Sequence, residues 1–244
     1  MEMIQITAKG EPDMFYKMML GGQPTMSEWP VRIEHMEDMQ PQFEKAVLAW
    51  LKDPFGSYDF VYAPKRPTNP ASYAYLFGYG NDNIFYMRKD SNKFTEISRQ
   101  QITSVLTERE LLNAKIIVRH QEGNDIKRLE FPYVPSVYYL YDPFLNWLLG
   151  LDKKFMPLAA ERENPRPRKL YEDSLVMFNY SLGAYRLGEK FENYDYKSIS
   201  RRRKWMPWKK DLEEWLEIPM ERGVFRLHSY KYLTECGYEI RKTY

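Results

Sequence analysis

The most constraining stretch of the chain is residues 97–151, ISRQQITSVLTERELLNAKIIVRHQEGNDIKRLEFPYVPSVYYLYDPFLNWLLGL, in which two strand-like runs and an apolar helix follow one another almost without a gap. Residues 114–119 (AKIIVR) are β-branched and apolar, and residues 125–131 (DIKRLEF) alternate. Between them, HQEGND offers Gly123 and Asn124, which take positive φ at low steric cost, so the pair reads as a hairpin. Its second strand is expected to bury Ile126, Leu129 and Phe131, with a bulge at Lys127 and Arg128 bringing all three to one face. Ser136 is the expected N-cap of the helix that follows, and Tyr138, Tyr141, Leu145 and Leu148 or Leu149 make one apolar face. Pro143 lies inside that run and is expected to kink or break it. The run is shorter than the ~20 residues a bilayer span requires, so it reads as a core helix closing one end of a sheet.

Upstream the pattern is mixed. Residues 1–35 are interrupted by Gly10, Pro12, Gly21, Gly22, Pro24 and Pro30 and read as an extended lead-in with at most one helical turn near residues 14–20. Met36, Met39, Phe43, Val47, Trp50 and Leu51 then recur at helical spacing, with Pro41 expected in the first turn and Pro54 and Gly56 ending the helix. Strands are predicted at residues 58–63, 72–79, 83–89 and 93–98, joined by turns at residues 80–82 and 90–92. Residues 152–170 are charged and broken by Pro157, Pro165 and Pro167, the pattern of a linker. Beyond them, residues 171–186 resume apolar alternation, and residues 192–199, 215–220, 223–229 and 238–242 are further strand candidates. The C-terminal part therefore reads as β-rich, with no long helix. No internal repeat is visible.

The order of many strands, a late hairpin and an apolar helix resembles that of bacterial pleckstrin-homology (PH)-like domains. The resemblance rests on Ile102 and Val105, the Leu111-Leu112 pair, the IIV strand, Phe131 to Tyr133 and the helix after them, and covers residues 58–151. It implies an α+β protein: a PH-like antiparallel β-barrel or curled sheet with a closing C-terminal helix, preceded by an N-terminal helix and followed by a further β-rich C-terminal unit. The corresponding boundaries are an N-terminal extension and helix (1–57), the PH-like domain (58–151), a linker (152–170) and the β-rich C-terminal region (171–244), which is a second small PH-like or barrel unit on one reading. PH-like folds are generally binding scaffolds for phosphoinositides, peptides or proteins. A phosphoinositide site needs a basic loop, and PKRPTNP supplies only Lys65 and Arg66.

Chemistry-bearing motifs are sparse. The chain has no GxSxG, GxxxxGK[ST], HExxH or paired CxxC, so no catalytic residue, metal ligand set or cofactor is assigned. Cys236 is the single cysteine, which excludes an intramolecular disulfide and fits a reducing compartment. It could meet His228 in space as nucleophile and base, although a buried structural Cys is the commoner case. Glu34, His35, Glu37 and Asp38 form a dense patch, but neighbours in sequence do not share a helix face. No basic segment with an apolar core opens the chain, so a cytoplasmic protein is expected.

One segment stands out. Residues 201–210 read RRRKWMPWKK, placing Arg201, Arg202, Arg203, Lys204, Lys209 and Lys210 around Trp205 and Trp208. Guanidinium groups pair phosphates and indoles stack on bases or sit at a headgroup boundary, so the segment is a candidate anion-binding loop. The plainer reading is a solvated strand end whose cations pair with Asp211, Glu213, Glu214 and Glu217. Residues 152–244 hold 20 Lys and Arg against 15 Asp and Glu, a net of +5, and residues 1–151 hold 16 against 19, a net of −3. That skew suits a polyanionic partner for the C-terminal part, while the overall +2 is too small to imply nucleic-acid binding by itself. The reading from sequence is a non-enzymatic binding or scaffolding module for a protein partner. The alternative is a binder of nucleic acid or an anionic membrane surface through residues 201–210.

Overall fold

The computed structural model describes residues 29–51, 55–66, 72–91, 93–110, 113–151, 166–187, 191–203, 206–221, 223–231 and 233–240. The expected lead-in before residue 29, the Leu111-Leu112 pair and most of the linker fall outside them. The fold is α+β, with two open antiparallel sheets and few helices. The first sheet is a five-stranded meander in the order β1 (Val31–Ile33), β2 (Tyr58–Ala63), β3 (Tyr75–Gly80), β4 (Asn83–Arg88) and β5 (Phe94–Ser98). The second has seven strands. Its β6 (Ile102–Glu110), β7 (Asn113–Glu122) and β8 (Asp125–Tyr133) continue into β9 (Asp195–Arg203), β10 (Met206–Pro219), β11 (Gly223–Tyr230) and β12 (Leu233–Ile240), in the order β8-β7-β6-β12-β11-β10-β9. The C-terminal strands thus extend the sheet of the hairpin through the β12–β6 pairing, from Leu233↔Glu110 to Tyr238↔Val105. Of the two expectations for the sheet, barrel or curled, closure into a barrel does not occur, because the first and last strands of each sheet do not pair with each other.

The five-stranded sheet is covered on both faces. Helix α1 (Pro41–Trp50) starts with Pro41 at its first position, where a missing N–H costs no helical bond. It lays Phe43 and Val47 over Phe60, Leu76 and Phe85. On the other face Val61, Tyr75, Phe77, Tyr79 and Tyr86 pack against Val105, Val118 and Phe131 of the second sheet and against helix α2 (Tyr138–Leu148). Burial on both sides explains why β3 and β4 read as almost unbroken apolar runs rather than alternating ones. The β3–β4 turn uses Asn81 (φ 38°) and Asp82 (φ 62°), two residue types that tolerate the left-handed region a tight hairpin requires. Phe144 lies within 5.0 Å, ring centre to ring centre, of Phe77, Tyr79 and Phe131, which joins α2 to both sheets.

Four local expectations change. The β7–β8 hairpin pairs in continuous register from Ala114↔Tyr133 to Glu122↔Asp125, without a bulge. Side chains therefore keep strict alternation, and Ile126 falls on the face opposite Leu129 and Phe131, 63% exposed. Ser136 does not cap α2; it lies in a 3₁₀ turn, Pro135–Val137, and Val137 takes the cap position without a side-chain bond. Helix α2 runs through Pro143, so of the expected kink or break the break does not occur. The hydrogen bond lost there is the one to the carbonyl of Tyr139, which sits on the exposed side of the helix. Residues 171–186 are helical rather than alternating: α3 (Arg168–Asp173), α4 (Leu175–Tyr180) and a 3₁₀ segment (Ser181–Leu187) succeed one another. Ser174 starts α4 by accepting the Met177 backbone N–H at 3.1 Å, and Leu170, Met177 and Ala184 reach the core. Among the described residues no helix is long and apolar enough to cross a membrane.

Candidate functional site

A strand buries every second side chain, so the seven-stranded sheet has an outer face set against the core face. On β10 the pattern LEEWLEI sends Leu216 and Ile218 to the core and Glu213, Trp215 and Glu217 outward. The β10–β11 register places His228 opposite Trp215 and Arg226 opposite Glu217, and the β11–β12 register places Glu235 opposite His228. These pairings assemble a network across four strands. Arg201 Nη2 on β9 donates to Glu213 Oε2 at 3.1 Å. Glu213 Oε1 lies 3.1 Å from His228 Nε2, and His228 Nδ1 lies 3.1 Å from Glu235 Oε2. A neutral imidazole has one N–H and satisfies one of these carboxylates, whereas a doubly protonated ring satisfies both. The Trp215 indole stacks on the His228 ring at 5.3 Å with a 7° interplanar angle. Arg226 Nε donates to Glu217 Oε2 at 2.7 Å and its Nη1 pairs with Glu239.

The network edges a trough of about 560 Å³ whose lining includes Leu106, Arg119, Lys197, Trp215 and His228. Gly237 stands between Arg226 and Leu106 in the register, and its missing side chain leaves the floor open there. The carboxylates Glu213, Glu217, Glu235 and Glu239 are all matched by a cation or by His228. Arg119 on β7 and Lys197 on β9 line the trough, exposed, with no ion-pair partner among the described residues. The trough therefore offers fixed charge of both signs, one aromatic surface and, without an ion-pair partner among the described residues, two cations (Arg119, Lys197) and one carboxylate (Asp195).

The basic segment singled out in the sequence forms the end of the β9–β10 hairpin, at the edge of this sheet. Lys210 pairs in register with Arg202 and Asp211 with Arg201, and the register shifts between Met206 and Lys210. Arg201, Arg202 and Lys210 are exposed. Lys204 and Trp205 lie outside the described residues, as do the side chains of Arg203, Trp208 and Lys209. Of the acids expected to neutralise the segment, Glu213 holds Arg201, whereas Glu214 is turned inward and accepts from the Tyr196 phenol at 2.8 Å, and Glu217 serves Arg226.

Cys236 and His228 do not meet. Cys236 pairs with Leu227 in the register and faces the core side, while His228 faces outward. Burial pushes the Cys236 thiol up to about 11, away from the thiolate form a nucleophile needs. Glu34, His35, Glu37 and Asp38 are exposed, and among the described residues no group of three His, Cys, Asp or Glu could hold a metal ion. Sequence reasoning missed Arg119, Lys197, Trp215 and Glu235. A signal was present in the alternation of Glu213, Trp215 and Glu217 with Arg226, His228 and Tyr230, two strands with a polar and aromatic outer face. No family model, no curated protein and no solved structure matches the chain.

Proposed function

We propose that the protein is a non-enzymatic binding module on a PH-like scaffold, with the outer face of the seven-stranded sheet receiving a protein partner. The PH-like reading draws support from the chain order: a meander sheet, then β6–β8, then α2 packed across both through Phe144. The observation that carries the binding reading is the trough itself, a concave surface with Arg119 and Lys197 unpaired among the described residues and an aromatic pair in its wall. Its charge is mixed. A phosphate backbone laid along it meets Asp195, Glu217, Glu235 and Glu239, which repel it, whereas a protein surface can match both signs. A second reading has its own observation: Arg202 and Lys210 are exposed at the hairpin end, beyond the Arg201–Glu213 pair, where a polyanion could bind without crossing the trough's carboxylates.

The two separate in a titration of a labelled single-stranded oligonucleotide and of anionic vesicles at low and moderate salt. The protein-partner reading expects weak binding to both that is little changed when Arg201, Arg202, Arg203 and Lys204 become Ala. Tight, steeply salt-dependent binding that the four-site variant loses would overturn it in favour of the polyanion reading.

A further inference from the structure

On the core side of the same sheet, a second cavity of about 590 Å³ opens between β6, β12, α2 and the α4–3₁₀ segment. Its size falls in the ~300–1,000 Å³ range of small-molecule sites. Five tyrosines line it. Tyr133 stacks on Tyr141 at 4.2 Å and 14°, Tyr238 closes the floor, and Tyr138 and Tyr180 stand exposed at the mouth. Burial pushes the Tyr133 phenol up to about 12 and raises those of Tyr141 and Tyr238 further, so all three keep their protons at neutral pH.

The charge in the wall is unequal. Arg186 Nη2 donates to Asp142 Oδ1 at 2.6 Å and Nη1 to Asn146 Oδ1 at 2.5 Å. Asp142 thus neutralises Arg186. The carboxylate of Glu108 is engaged with Lys115 at 2.6 Å and with Arg128. Arg109 lines the cavity, exposed, with no ion-pair partner among the described residues. Among the described residues the cavity therefore carries one positive charge without an ion-pair partner, Arg109 at its rim, with tyrosine rings behind it. Asp142 Oδ2 and Arg186 Nε are buried with no hydrogen-bond partner among the described residues, so the ion pair is held in the wall at a cost in desolvation.

We infer that this cavity is a binding site for a small aromatic monocarboxylate, its carboxylate meeting Arg109 and its ring lying among Tyr133, Tyr138, Tyr180 and Leu145. One negative charge matches the Arg109 guanidinium, and phenol hydroxyls supply further donors to carboxylate oxygens. The site faces the opposite side of β6 and β12 from the trough, so it does not depend on the protein-partner reading.

The test titrates 2-naphthoate and its neutral analogue 2-naphthamide into the full-length protein by calorimetry. The naphthoate should bind about tenfold more tightly than the amide, a ratio within reach of one charge-assisted hydrogen-bonded pair. Arg109→Gln should remove that ratio and Arg109→Lys should restore part of it. Tyr180→Ala at the mouth should weaken both compounds alike, and Lys197→Glu in the trough should change neither. Equal binding of the two compounds, a ratio that survives Arg109→Gln in a folded variant, or no heat from naphthoate up to millimolar concentration would overturn the inference.

Discussion

Replacing Asp142 by Leu leaves the Arg186 guanidinium in the wall of the cavity without its carboxylate. The pair is close at 2.6 Å, with side chains 15% (Arg186) and 7% (Asp142) exposed. Breaking such a pair from one side costs about 3 kcal/mol, because a charge is left without compensation. Arg186→Met strands Asp142 instead and also withdraws the donor from Asn146, so it should cost about 4 kcal/mol. The double variant removes both charges and leaves only Asn146 short of one donor, about 1 kcal/mol. It should therefore lie about 1 kcal/mol below the parent, some 6 kcal/mol better than additivity of the single changes. Urea unfolding followed by circular dichroism measures all four proteins, with the m-values compared to check that the same transition is observed. Additivity within about 0.5 kcal/mol, or an Asp142→Leu cost below about 1 kcal/mol, would refute the view that this pair acts as one buried unit.

Three further outcomes are expected. A Cβ on Gly80 would lie 1.9 Å from the Ser57 carbonyl oxygen, whereas one on Gly123 (φ 61°) meets nothing. Gly80→Ala should therefore cost about 2–3 kcal/mol and Gly123→Ala about 1, and equal losses of unfolding free energy would contradict the close β2–β3 approach. Desolvation holds the buried His120 below its ordinary value of 6.5. The unfolded chain then binds the proton first, so stability should fall as pH drops through about 6.5, and His120→Phe should flatten that fall in denaturant titrations at stepped pH. The Cys236 thiol, pushed up to about 11, should react with a disulfide reagent at pH 8 far more slowly in the native protein than in urea. Equal rates would mean that the sulfur is not shielded.

The elements legible in the sequence are those fixed by local physics. Gly123 and the Asn81-Asp82 pair announce hairpin turns because of the backbone angles they take, and Pro41 marks a helix start because it lacks an N–H. Ile126 was misplaced because an assumed bulge shifts a whole strand face, and only the continuous register decides that. Residues 171–186 were misread because α3 and α4 are six residues each, too short for helical periodicity to outweigh alternation. The sites were less legible still. Arg201, Glu213, His228 and Glu235 converge only once three hairpins have set their registers, and Arg186 meets Asp142 across 44 residues of sequence. The basic run at residues 201–210 was visible because it is contiguous; Arg119, which shares the trough with Lys197, lies on β7 and carries no local signal.

The outer face as a partner surface is tested most directly by photo-crosslinking. A benzophenone side chain is placed at Lys197 in the trough and, for comparison, at Ile126, which is exposed on β8 at the far edge of the same sheet. Irradiation in cell extract should give one discrete protein adduct from position 197, reduced by Arg119→Glu, and none from position 126. The same adducts from both positions, or none from 197, would contradict a binding face in the trough.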